Sequence, residues 1–115
     1  MYTNKVTWET LRVLDSASSP FSTGVYTRLG TALLHPSYIL KIVNNSTVLV
    51  TVSLDGVTDI DVVPAGGFFL YDESKSGPLP YLPSVPQGSQ IFVKSGTGAA
   101  GVGSIYLVSQ YIVTN

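Results

Sequence analysis

The feature that most constrains this chain is a two-residue rhythm. Val48, Val50, Val52 and Leu54 alternate with Leu49, Thr51 and Ser53. Alternation of this kind gives each set one face of an extended strand and is out of step with the 3.6-residue helical repeat. The rhythm returns at Ser37 to Val43, with Tyr38, Leu40 and Ile42 on one face. At Gln90 to Ser95 it sets Ile91 and Val93 against Phe92 and Lys94. It is longest at Ser104 to Val113, where Ile105, Leu107, Ser109, Tyr111 and Val113 oppose Tyr106, Val108, Gln110 and Ile112.

Turn residues divide these runs. Asn44-Asn45-Ser46 predicts a turn that folds 37–54 into a hairpin, since Asn tolerates positive φ. Asp55-Gly56 is a strong turn signal. Asp59 to Val63 reads as a short strand stopped by Pro64, which cannot donate to a ladder. After Ala65-Gly66-Gly67, Phe68 to Asp72 is apolar on both faces, which predicts a strand covered on both sides. Val6 to Asp15 and Val25 to Leu33 are less regular candidates. Together these spacings predict an all-β domain over 1–115, an antiparallel β-sandwich or jelly roll of seven to eight short strands.

Composition narrows the function. Charged residues make 11% of the 115 residues and the net charge is −1, so there is no basic field to gather nucleic acid. With no Cys and one His, thiolate and His-rich metal centres are excluded. The longest apolar runs fall far short of the roughly 20 residues that carry a helix across a bilayer. No targeting segment is expected in residues 1–30, which lack a basic start followed by an apolar stretch. A surface of hydroxyls is cheaper to desolvate than a surface of ions. Such a surface suits a subunit packed among neighbours, and an exposed strand edge such as Ser104 to Val113 is expected to pair across subunits.

Several motifs point to chemistry that their context does not sustain. Gly96-Thr97-Gly98-Ala99-Ala100-Gly101 spells a dinucleotide fingerprint, which needs a helix after it to hold the pyrophosphate. A β-type segment follows, so a hairpin loop is expected and no cofactor. Asp55, Asp59 and Asp61 could offer oxygens to a cation, but their spacing does not match a calcium loop, and turn and surface roles are expected. His35 has no nucleophile motif to serve, so no catalytic residue is expected. Pro78, Pro80, Pro83 and Pro86 make 73–89 an extended arm carrying Leu79, Tyr81 and Leu82. Pro lowers the entropy lost when such an arm docks. Tyr2 and Trp8 near the N-terminal segment 1–5, with Leu79, Tyr81 and Leu82 in the arm, are the expected interface residues.

One stretch carries a resemblance. Leu40-Lys41-Ile42-Val43-Asn44-Asn45-Ser46, Leu54-Asp55-Gly56 and Val63-Pro64-Ala65-Gly66-Gly67 are followed by Leu70-Tyr71-Asp72, Val85-Pro86-Gln87-Gly88 and Ile91-Phe92-Val93-Lys94. With the Gly-rich final hairpin, residues 37–113 resemble a family of small virion proteins of tailed bacteriophages. The resemblance implies a β-sandwich structural protein of the capsid head, neck or tail. It implies a place in the virion, many copies, and partners that are other virion proteins or copies of itself. It brings no catalytic residues. The alternative reading is a carbohydrate- or receptor-binding sandwich that uses its Tyr and Trp side chains.

Overall fold

The computed structural model describes residues 4–17, 25–72, 85–96 and 102–114. Within them the chain forms nine strands and no helix. These are β1 (Asn4–Trp8), β2 (Arg12–Asp15), β3 (Thr27–Arg28), β4 (Ile39–Ser46) and β5 (Val50–Ser53). They continue as β6 (Asp61–Val63), β7 (Phe68–Asp72), β8 (Phe92–Ser95) and β9 (Gly103–Thr114). One antiparallel sheet has the order β1-β9-β4-β7, with β2 also on β9; the other runs β3-β8-β5-β6. The two sheets pack as a β-sandwich.

The core follows the alternation. Leu40 and Ile42 of β4, Ile105 and Leu107 of β9, and Val50, Val52 and Val93 of the opposing sheet are all buried. Burying each such side chain stabilises the fold by about 1.5–3 kcal/mol.

The hairpin expected over 37–54 does not form. β4 pairs with β7 and β9, whereas β5 pairs with β6 and β8. Asn44 and Asn45 stay extended, opposite Ile105 and Ser104, and the chain crosses between sheets after Ser46. Asn44 is the reason. It occupies the inward position after Leu40 and Ile42, and its buried Nδ2 donates to the carbonyls of Val48 at 2.8 Å and Val63 at 2.9 Å. Its Oδ1 accepts from the Ser46 backbone N–H and hydroxyl. One amide therefore ties two sheet-crossing corners, 46–50 and 63–68, to each other. The Asp55-Gly56 turn forms as expected, with Gly56 at φ 79°, and joins β5 to β6.

Two other expectations change. β7 is an edge strand among the described residues, and its outward residues Phe68 and Leu70 are bare. The run Ser104 to Val113, expected to offer an exposed edge, lies inside the sheet between β4 and the β1/β2 pair.

The N-terminal run is irregular for a specific reason. β1 and β2 share one edge of β9, with Trp8 opposite Gln110 and Arg12 opposite Leu107. Three residues on one side therefore face two on the other, which is a β-bulge. The extra residue reverses the alternation. Val6 and Trp8 point outward before it, and Leu11 and Val13 point outward after it. Glu9 and Arg12, three apart, consequently both face inward.

Candidate functional site

The bulge builds a buried ionic node. Arg12 Nη2 donates to Glu9 Oε1 at 2.7 Å, and the two side chains are 6% and 2% exposed. Arg12 also donates to the carbonyls of Thr31 at 2.7 Å and Ala32 at 2.9 Å. Glu9 accepts from the backbone N–H groups of Leu34 at 3.1 Å and His35 at 2.9 Å. Burial alone would raise the Glu9 pKa, but Arg12 and these two N–H groups outweigh it and hold the carboxyl below its usual range. The pair staples the 31–35 segment to the bulge.

His35 belongs to this node. Its Nδ1 is 3.3 Å from Glu9 Oε2, and its ring stacks on Tyr111 with centroids 3.7 Å apart. A histidine beside a carboxylate is half of a nucleophile-activating arrangement. Here the carboxylate is already engaged by Arg12 and two backbone donors, and no serine hydroxyl bonds the ring among the described residues. The geometry orients a loop.

The three aspartates are separated by their partners. Asp55 accepts from its own turn, at the N–H groups of Val57 and Thr58 and the hydroxyls of Ser53 and Thr58. Those bonds, led by the Thr58 N–H, hold its pKa well below the carboxylate range. Asp59 accepts from the Tyr26 hydroxyl and pairs with Lys94 at 3.2 Å, while Lys94 lies 4.6 Å over the Tyr26 ring. The Tyr26 bond and then Lys94 lower the Asp59 pKa; burial and Asp59 raise that of Tyr26. Asp61 accepts from the Val62 N–H. The Tyr26–Asp59–Lys94 cluster decorates the outer side of the four-stranded sheet, whereas Asp61, opposite inward-facing Val52, stands at the rim between the sheets.

The outer face of the five-stranded sheet is of the opposite kind. Strand register places Val13, Tyr106, Val43 and Phe68 in one row across β2, β9, β4 and β7. The next row is Val108, Lys41 and Leu70. A third holds Trp8, Gln110 and Ile39 and ends at Asp72, and Val6 pairs with Ile112 beyond it. Trp8 is 59% exposed, Phe68 64% and Leu70 49%. Lys41 in the middle row and Asp72 at a corner are the charged positions in these three rows. An antiparallel sheet facing water is ordinarily polar on that side, and contiguous apolar patches of this kind mark interaction sites. Of the expected interface residues, Trp8 stands on this face. Tyr2, Leu79, Tyr81 and Leu82 lie outside the described residues. Of the segments 1–5 and 73–89, residues 1–3 and 73–84 lie outside the described residues. Lys5 is paired in β1, and 85–89 is tied to the body through Ser37–Val85 and Leu33–Ser89 backbone bonds.

A cavity of about 170 Å³ opens between the sheets where β7 and β6 form their rims, lined by Leu40, Ile42, Phe69, Tyr71, Val52 and Ile91 among others. Its exposed walls are carbon and Asp61 is the carboxylate among its lining residues, so it lacks the convergent set of polar groups that orients a substrate. After the fingerprint glycines comes β9, a strand, where pyrophosphate binding needs a helix. No protein-family model, no curated protein and no solved structure matches the chain.

Proposed function

We propose that this chain is a structural subunit of a larger assembly, the virion of a tailed bacteriophage, and acts through contacts with its neighbours instead of by catalysis. The observation that carries the reading is the apolar outer face of the five-stranded sheet. A face built from Trp8, Phe68, Leu70, Tyr106, Val13 and Val43 gains free energy when another surface covers it. Around Trp8 stand Val6, Ile112 and Gln110, a poor set of hydrogen-bonding groups for a hydroxyl-rich sugar. That composition favours a protein contact over the carbohydrate alternative. The virion is supported by the resemblance of the turn motifs between Leu40 and Lys94 to small phage structural proteins. Partners in this reading are other virion proteins and copies of the chain itself. Mass spectrometry of purified particles tests it, with peptides of this chain expected in many copies per particle. Particles that assemble without the chain and never contain it would remove the proposal.

A further inference from the structure

The geometry points to a specific occupant of the apolar face: we infer that two copies of this chain pair through the outer sides of their five-stranded sheets. The inference rests on the reading of that face as a subunit contact and names its partner. Three observations lead to a second copy.

The first is size. With strands about 4.8 Å apart and residues about 3.4 Å long, the stretches 6–13, 106–112, 39–43 and 68–72 give a flat footprint of roughly 400 Å². A pleated surface of aromatic and branched side chains exposes more than its footprint. Specific dimers bury about 800 Å² per partner, and about 500 Å² is a working minimum. With its side-chain relief the face matches a contact at the small end of that range, which leaves little area for a second occupant.

The second is charge. The charged positions that register assigns to this face are Lys41, Asp72 at one corner and Asp15 in the adjoining row, too few to select a strongly charged partner. The complementary surface must itself be apolar and nearly balanced in ions, which describes this face.

The third is shape. Consider a two-fold axis parallel to the strands, in the interface, between β9 and β4. It lays each row over its own reverse. Phe68 then meets the partner's Val13, and Tyr106 meets the partner's Val43. Lys41 meets the partner's Val108, so its methylene stem has apolar surface to cover and it does not meet its own counterpart. Large lies over small in the aromatic row, while in the third row Gln110 meets the partner's Ile39 and Trp8 meets the partner's position 72 at the rim. Sheets of the same twist stack in this manner about 10 Å apart, at about 30°. An isologous contact requires such self-complementarity.

The experiment uses Phe68→Glu and Val13→Lys, both at exposed positions, so that folding is spared. Sedimentation equilibrium of the parent chain is expected to give twice the chain mass. Each variant alone is expected to weaken association about tenfold or more, with its circular dichroism spectrum unchanged and its melting at concentrations where the parent is monomeric also unchanged. An equimolar mixture of the two is expected to recover dimer. In that mixture one contact sets the introduced carboxylate against the introduced ammonium, while the other keeps Phe68 against Val13. A parent chain that is monomeric at millimolar concentration overturns the pairing. A parent dimer that neither substitution weakens also overturns it, as does a mixture that stays monomeric. Co-sedimentation with particles separates this from the broader reading. A monomeric parent that still enters particles, and loses entry on Phe68→Glu, overturns the second copy as occupant while leaving the assembly role in place.

Discussion

Asn44 and Glu9 are the two side chains whose removal exposes the most about this sandwich. Asn44→Ala removes the side-chain donor of the buried Val63 carbonyl and the closer of the two donors to the Val48 carbonyl, which keeps the Ser46 hydroxyl. A buried group left unsatisfied costs about 1–3 kcal/mol, so a loss of about 3 kcal/mol is expected, read as a lower urea midpoint at unchanged slope. Glu9→Gln strips a buried guanidinium of its counter-charge and is expected to cost about 3 kcal/mol at neutral pH. The sign of its pH dependence follows from the depressed Glu9 pKa. A carboxyl whose folded pKa lies below its unfolded value stabilises the fold above the unfolded value. That contribution is lost as pH falls through the folded one. The stability gap between parent and Glu9→Gln should therefore narrow as pH drops below the ordinary carboxylate range, which thermal melts across an acid series would record. Both residues left a trace in the sequence. Asn44 continues the inward parity of Leu40 and Ile42, although its preference for turns argues for the wrong role. The Glu9–Arg12 spacing suits a helix, and the bulge that brings both inward depends on pairing with β9, at the far end of the chain.

At the scale of the strand, local rhythm and pairing part company. The extents of β7 and β9 and the position of the Asp55-Gly56 turn follow from alternation and turn chemistry alone. Which strands meet does not, because the partners of β4 are β7 and β9, both remote in sequence. Adjacent runs look like hairpins until a buried polar side chain such as Asn44 makes a sheet crossing worth more. The apolar outward residues of β7 illustrate the same boundary. Their composition predicts cover on both faces, and no element among the described residues supplies it on the outer one. β9 itself begins at Gly103, with φ at 124°. An added Cβ there would collide with the Asn45 carbonyl oxygen and press on Ser46 Cα at 3.0 Å. Gly103→Ala is thus expected to cost about 2 kcal/mol from strain and displacement of the β4 corner, measurable as a lower melting temperature. Faster hydrogen exchange at Thr47, whose N–H donates to Val102, should accompany it.

The whole molecule is a slab with unlike sides. One side carries Tyr26, Asp59, Lys94 and Arg28, and the other carries Trp8, Phe68, Leu70 and Tyr106. In a chain with so few ions, placing Arg28, Asp59 and Lys94 on one side leaves few for the other. This contrast belongs to the assembled sandwich, since it appears only once strands remote in the chain lie side by side. It also sets how far association can run. When two slabs meet on their oily sides, both oily sides are used up, and the couple is clad in salt-bearing skin top and bottom. Stacking by that route halts at two layers. A wider array built on such couples would grow sideways, along strand edges that stay unpaired among the described residues, such as β7 and β6.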